Sequence, residues 1–129
     1  AGHPIGGGGM FLTLTDMMRL GQLYLAEGMW EGKRILEPSW VREATKLQIE
    51  TPAGTQEAKK DYWLCGYGYQ FWRCPYPESY RADGAFGQIT VVLPKSGLTV
   101  SVQCPENGNF ALVKDALHEK VFTRLSESF

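Results

Sequence analysis

The chain has 129 residues, 43% hydrophobic and 21% charged, with 13 Lys and Arg against 14 Asp and Glu for a formal net charge of −1. That length gives room for one hydrophobic core and one domain, taken here as residues 1–129, and that composition excludes a largely disordered chain. The near-zero charge, with cations spread along the sequence, excludes a field that would draw nucleic acid or an anionic membrane.

In chain order, Gly6 to Gly9 read as a flexible glycine-rich leader. Thr13-Leu14-Thr15-Asp16 fits a capping box and predicts a helix starting there. Its apolar set, Leu14, Met17, Met18, Leu20, Leu23, Tyr24 and Leu25, follows the 3.6-residue period over most of a face and predicts a mostly buried helix that stops near Gly28. Trp30-Glu31-Gly32-Lys33 reads as a turn. A second helix follows, with Pro38 in its first turn, where the missing N–H costs nothing, and with Trp40, Val41 and Ala44 facing inward. Glu50 to Lys60 is polar, with Pro52 and Gly54 and no hydrophobic repeat, as in a mobile surface loop.

Beyond the loop the period becomes extended. Gly66 to Arg73 alternates small or polar residues with aromatics, as one strand of an antiparallel sheet would, and Cys74 to Ser79 forms a connection. Gln88 to Leu93 and Leu98 to Gln103 are β-branched strands joined as a hairpin through Pro94-Lys95-Ser96-Gly97. After Pro105 to Gly108, Asn109 is the N-cap of a closing helix with Val113, Ala116, Leu117, Val121 and Leu125 on one face. The fold class is therefore α+β, an antiparallel sheet of about three strands packed against helices.

No apolar run approaches the roughly 20 residues of a membrane-spanning helix, and no charged segment precedes a hydrophobic one as in a secretory leader, so a soluble protein is expected. The chain opens on Ala1-Gly2-His3 without methionine, and its natural start is expected upstream. The missing leader accordingly carries no information about the parent protein. Cys65, Cys74 and Cys104 form no Cys-x-x-Cys pair and are odd in number, which suits a reducing compartment, the cytoplasm, better than a secreted disulfide scaffold. They read as structural. The alternative is a reactive thiol at Cys65, beside Gly66, or at Cys74, beside Pro75, although no histidine signature accompanies either.

Motif chemistry is mainly absent. No spacing of His, Cys or Asp offers a metal site, and His3 and His118 are the only imidazoles, the second reading as a solvated or capping residue. Gly-x-Ser-x-Gly, the phosphate loop and the dinucleotide fingerprint are all missing. No metal or cofactor is expected.

Two separated segments carry a resemblance. Gly7 to Leu25, followed by Gly32-Lys33-Arg34-Ile35-Leu36 and Pro38-Ser39-Trp40-Val41, resembles the segment after the all-helical region of β-lactamase and penicillin-binding-protein-like serine hydrolases. Gly66 to Arg73, then Tyr80-Arg81-Ala82-Asp83-Gly84-Ala85-Phe86-Gly87-Gln88 and Val91-Val92-Leu93-Pro94, is similar to that family's third active-site motif and its strand. The resemblance implies the C-terminal portion of a β-lactamase/transpeptidase-like fold. It also implies acyl-enzyme chemistry on a small-molecule ester, amide or β-lactam bond. Such enzymes attack with a serine in Ser-x-x-Lys, where the lysine one helical turn on helps take the hydroxyl proton. None of Ser39, Ser79, Ser96, Ser101, Ser126 and Ser128 has a lysine three residues on. The nucleophile and its base are thus expected on a missing N-terminal part of the same domain, leaving this chain inactive alone.

The third motif alone carries over. Ala82-Asp83-Gly84 lies where the family has Lys/His-Thr/Ser-Gly; Gly84 corresponds to the glycine that lets substrate approach the strand, and Ala85 to the source of the second oxyanion-hole N–H. Ala82 replaces the cationic or imidazole residue, a departure associated with esterase-like branches. Asp83, Gly84 and Ala85 are the expected substrate-binding wall, the alternative for Asp83-Gly84 being an ordinary turn pair. Lys95-Ser96-Gly97 spells the motif literally but sits in a hairpin turn. Tyr67, Tyr69, Phe71 and Trp72 either line a cleft or pack across strands. In the family the N-terminal helix and first two strands complete the sheet, so one edge is expected to stay unpaired and to favour self-association. A stand-alone α+β binding module is the rival from another class, and a cysteine hydrolase using Cys65 or Cys74 a third.

Overall fold

Thr13 opens the first helix as the sequence predicts. In the computed structural model, which describes residues 2–3, 7–51, 65–84, 87–104 and 110–126, the Thr13 hydroxyl accepts from Asp16 N–H at 3.2 Å and the Asp16 carboxylate accepts from Thr13 N–H at 3.2 Å. Both halves of the capping box are therefore made, and α1 runs Leu14–Leu25. The helix is not mostly buried. Met17 and Gly21 alone are fully buried, while Leu14 and Met18 are exposed. An apolar set spread over most of a helix exceeds the single stripe that one sheet can cover.

The expected turn after α1 is a small ribbon, β1 (Met29–Trp30) paired antiparallel with β2 (Lys33–Arg34) through Glu31 and Gly32, both at positive φ. Next comes α2, Pro38–Thr45, with Pro38 in its first turn. Val41 and Ala44 are buried as expected, but Trp40 is 47% exposed and stacks on Tyr69 with ring centroids 6.0 Å apart. Its indole N–H is taken up by the Tyr24 hydroxyl while its ring lies on Tyr69, so the polar atom is satisfied without full burial of the side chain.

The main sheet is antiparallel, in the order β3-β4-β5-β6: Trp72–Arg73, Tyr80–Asp83, Gln88–Leu93 and Leu98–Gln103. The last two strands have the predicted bounds. Their connection is a short 3₁₀ turn, Pro94–Ser96, closed by Gly97. Two differences come from segments shorter than the sequence pattern suggested. Gly66 to Arg73 is not one strand; it folds back on itself, with Tyr67 pairing with Trp72 and Gly68 N–H donating to Phe71 O at 2.7 Å. Glycines and aromatics alternate equally well in a tight hairpin, so period alone does not separate the two cases. β4, which the reading of about three strands left out, fills the place between β3 and β5.

Each face of the sheet has its own cover. On one side Tyr80, Ala82 and Val92 pack with Phe71, Ala44, Tyr24 and Leu25. There α1 comes so close that a Cβ on Gly21 would lie 2.8 Å from Thr90 Cγ2. On the other, Ile89, Val91 and Leu93 meet Cys74, Leu117, Val113 and Val121. These last three belong to a helical stretch composed of α3 (Phe110–Leu117), a π turn (His118–Phe122) and α4 (Thr123–Ser126). Ala116, expected inward, is exposed, because the sheet covers only the narrow stripe of Val113, Leu117 and Val121. Residues 52–60 of the expected loop, the Pro105 to Asn109 entry to the last helix and the side chains of His118 and Leu125 lie outside the described residues.

Candidate active-site wall

Side chains alternate along β4, and the alternation sorts its chemistry. Tyr80 and Ala82 face α1, within the apolar cluster, so the position that would hold a cation or imidazole is an alanine packed among aromatics. Arg81 lies opposite Val91 and Asp83 opposite Ile89, which puts both on the other face.

Arg81 is 0% exposed, and its guanidinium is met by four neighbours. Nε donates to Asp83 Oδ2 at 2.7 Å, NH1 donates to Arg73 O at 3.0 Å and to Cys74 Sγ at 3.8 Å, and the guanidinium lies 5.5 Å from the Trp72 ring centroid. The Asp83 side chain is only 9% exposed. Burial raises its pKa above the ordinary carboxylate range, and the Arg81 charge and hydrogen bond oppose that rise. Asp83 is therefore committed to holding Arg81. Sequence reasoning quoted Arg81 within a motif without giving it a role. The signal was available, because Arg-x-Asp in a strand places a cation and a carboxylate on the same face.

Beyond Asp83 the strand ends. Gly84 N–H donates to Gln88 O at 2.8 Å and Gly84 O accepts from Gly87 N–H at 3.2 Å, a tight return into β5. A Cβ on Gly84 would stand 2.7 Å from the Gln88 Oε1 atom, the movable end of a side chain. Asp83 and Gly84 are thus consecutive at the strand terminus, while Ala85 lies outside the described residues. Lys95-Ser96-Gly97 sits in the β5–β6 turn, where Lys95 Nζ pairs with Glu78 Oε1 at 2.9 Å on the surface.

The aromatics divide. Phe71 is core, 4.7 Å from Tyr24 and 5.5 Å from Tyr80 between ring centroids. Tyr67 and Trp72 form a half-buried edge-on pair at 4.7 Å, and Tyr69 is exposed. Burial pushes the Tyr80 hydroxyl well above its usual range, with the nearby Tyr24 adding to the rise, so it stays protonated in the core. Two serines are already engaged: Ser79 Oγ donates to Tyr76 O at 2.6 Å, and Ser101 Oγ lies 3.0 Å from Thr90 Oγ1. Among the described residues no three His, Cys, Asp or Glu side chains gather as a metal site would require, and no helix is long and apolar enough to cross a membrane.

No curated protein is found to be similar to the chain. The family model described as Beta-lactamase matches residues 1–121. That match takes in α1, α2, the whole of the main sheet and the first helix of its second face, and by it the chain belongs to the beta-lactamase family.

Proposed function

We propose that this chain is the C-terminal part of a serine hydrolase domain and supplies one wall of an acyl-enzyme site, with Gly84 and the backbone N–H of Ala85 facing the reacting carbonyl. The Ser-x-x-Lys nucleophile and base come from residues outside these 129. The carrying observation is the end of β4, where a buried Arg81–Asp83 pair fixes the strand immediately before Gly84, a residue with no side chain of its own to bar a substrate and with only the movable end of Gln88 beside it. In this reading Asp83 acts as the anchor of the wall. The serine hydroxyl attacks an ester, amide or β-lactam carbonyl, the backbone donor holds the developing oxyanion, and water later releases the acyl group. That chemistry needs no metal or organic cofactor.

Exposed apolar side chains support a missing complement. Phe11 is 99% exposed and Met10 73%, and beside α1 an open groove of about 520 Å³ is lined by Met10, Leu12, Leu20, Leu23, Trp30 and Ile35 together with the charged Asp16, Arg19 and Glu31. A mainly apolar groove with a charged rim is the composition of an interface. Ala82 in place of a cation favours an esterase-like activity over β-lactam hydrolysis, and the cysteine usage favours a reducing compartment such as the cytoplasm.

Nitrocefin and a short-chain p-nitrophenyl ester test the reading, each offered to the purified chain and to a longer chain carrying an upstream Ser-x-x-Lys. Turnover by the longer chain alone, with the ester preferred, is the expected result. Turnover by the 129-residue chain would sink the proposal that its nucleophile lies elsewhere. A second reading, a non-catalytic binding module, draws on the exposed Trp40–Tyr69 stack; it is favoured if neither chain turns over.

A further inference from the structure

A second cavity, open on one side and about 520 Å³ in volume, lies between the C-terminal ends of α1 and α2 and the start of β4. Its apolar wall is Tyr24, Leu25, Val41 and Pro94. Small-ligand sites have volumes of roughly 300–1,000 Å³ and set a few convergent polar groups into such a wall. Here the sheet register supplies two of them. Arg73 stands directly opposite Tyr80 in the antiparallel pair of β3 and β4, so both side chains leave the same face with Cβ atoms about 5 Å apart. Tyr80 is 3% exposed, and among the described residues its hydroxyl has no hydrogen-bond partner. A buried donor left unpaired is costly, and an acceptor carried in by a ligand would remove that cost.

The charges around the cavity fix the sign of that ligand. Arg42 pairs with Glu27 at 3.2 Å and Lys46 with Glu43 at 2.6 Å, while Glu78 on the rim pairs with Lys95 at 2.9 Å. Arg73 is different. Its NH1 donates to Thr45 O at 2.8 Å, and among the described residues no carboxylate lies within ion-pair distance of it. A cation without a counter-ion thus stands beside a hydroxyl without an acceptor.

We propose that this cavity binds a small organic monocarboxylate, its carboxylate held by the Arg73 guanidinium and the Tyr80 hydroxyl and its apolar body laid against Tyr24, Leu25, Val41 and Pro94. The planar guanidinium fork matches a carboxylate, and burial keeps the Tyr80 hydroxyl protonated, with a hydrogen to donate. Glu27 and Glu78, both on the lining, repel a second negative charge, so a monoanion is favoured over a phosphate dianion. Tyr80 and Gly84 are four residues apart along an extended strand, roughly 13 Å. The site is therefore separate from the Gly84 wall and does not depend on the acyl-enzyme reading.

The test titrates benzoate into the whole chain and follows backbone amide shifts by NMR, with methyl benzoate and phenyl phosphate as the neutral and dianionic comparisons. Saturable shifts centred on Thr45, Arg73 and Tyr80 are expected, with methyl benzoate at least about tenfold weaker because it lacks the charge and phenyl phosphate no tighter than benzoate. Tyr80→Phe and Arg73→Gln should each weaken benzoate by about tenfold, as loss of a hydrogen bond to a charged group does. Tyr80→Phe should also leave Tm unchanged or raised, since the hydroxyl it removes has no protein partner to lose; a merely structural tyrosine would lower it. Failure of benzoate to saturate, equal binding of methyl benzoate, tighter binding of phenyl phosphate, unchanged affinity in both variants, or a lowered Tm in Tyr80→Phe would each overturn the proposal.

Discussion

At the scale of the residue, the decisive side chain is Arg81. A fully buried guanidinium is tolerated because a carboxylate, a carbonyl and an aromatic face surround it. Asp83→Ala removes the carboxylate together with the hydrogen bond it accepts from Arg81, and should lower stability by about 3–5 kcal/mol in urea denaturation, as removing one partner of a buried pair does. Replacing both partners by apolar residues, Arg81→Met with Asp83→Leu, should recover much of that loss. A single variant as stable as the parent would show that the pair does not hold the end of β4. The pair also sets the sign of one pH effect. The Asp83 pKa is raised, so its contribution is fully present below the ordinary carboxylate range and is lost as pH rises through the folded value. Asp16 and Glu43, whose pKa values are lowered by their hydrogen bonds to Thr13 and Lys46, behave oppositely and lose stability as pH falls. Removing Asp83 should therefore steepen the acid limb of a plot of Tm against pH.

At the scale of the element, α1 is defined by its cap and by the closeness of its packing. Thr13→Ala should cost about 1 kcal/mol by leaving first-turn N–H groups unsatisfied. Gly21→Ala is the more telling change. Helix propensity alone predicts a gain of up to about 1 kcal/mol, but the new methyl would press on Thr90, itself packed against Ser101. Overpacking of this kind costs about 1–3 kcal/mol, and net destabilisation is expected in a denaturant titration. A stabilised Gly21→Ala would mean that α1 does not sit so close to β5 and β6.

At the scale of the whole molecule, two properties follow from what is buried and what is left open. Tyr24, Tyr76 and Tyr80 all have raised pKa values, chiefly through burial. Their stabilising contribution is complete below a pH of about 10, the unfolded value, and is lost as pH rises from there toward their folded values. In an ultraviolet titration they should ionise together with alkaline unfolding rather than before it. The second property is the outer edge of β6, which pairs with no other strand among the described residues and carries no charge or proline along Leu98–Gln103. Such an edge templates pairing with another chain. Concentration-dependent self-association is expected in sedimentation; a strictly monomeric chain counts against an open edge.

The sequence by itself determined the elements whose signals are local. The capping box at Thr13, Pro38 at the head of α2 and the β-branched runs of β5 and β6 were all legible, because hydrogen bonds and side-chain period act over a few neighbouring residues. The family was legible too, from motifs in order. The tertiary structure decided what depends on partners distant in the chain. It set the burial of Arg81, the exposure of Trp40 and the fold-back of Gly66 to Arg73. Period says which residues share a face; the neighbour that covers the face, or leaves it to solvent, comes from elsewhere in the chain.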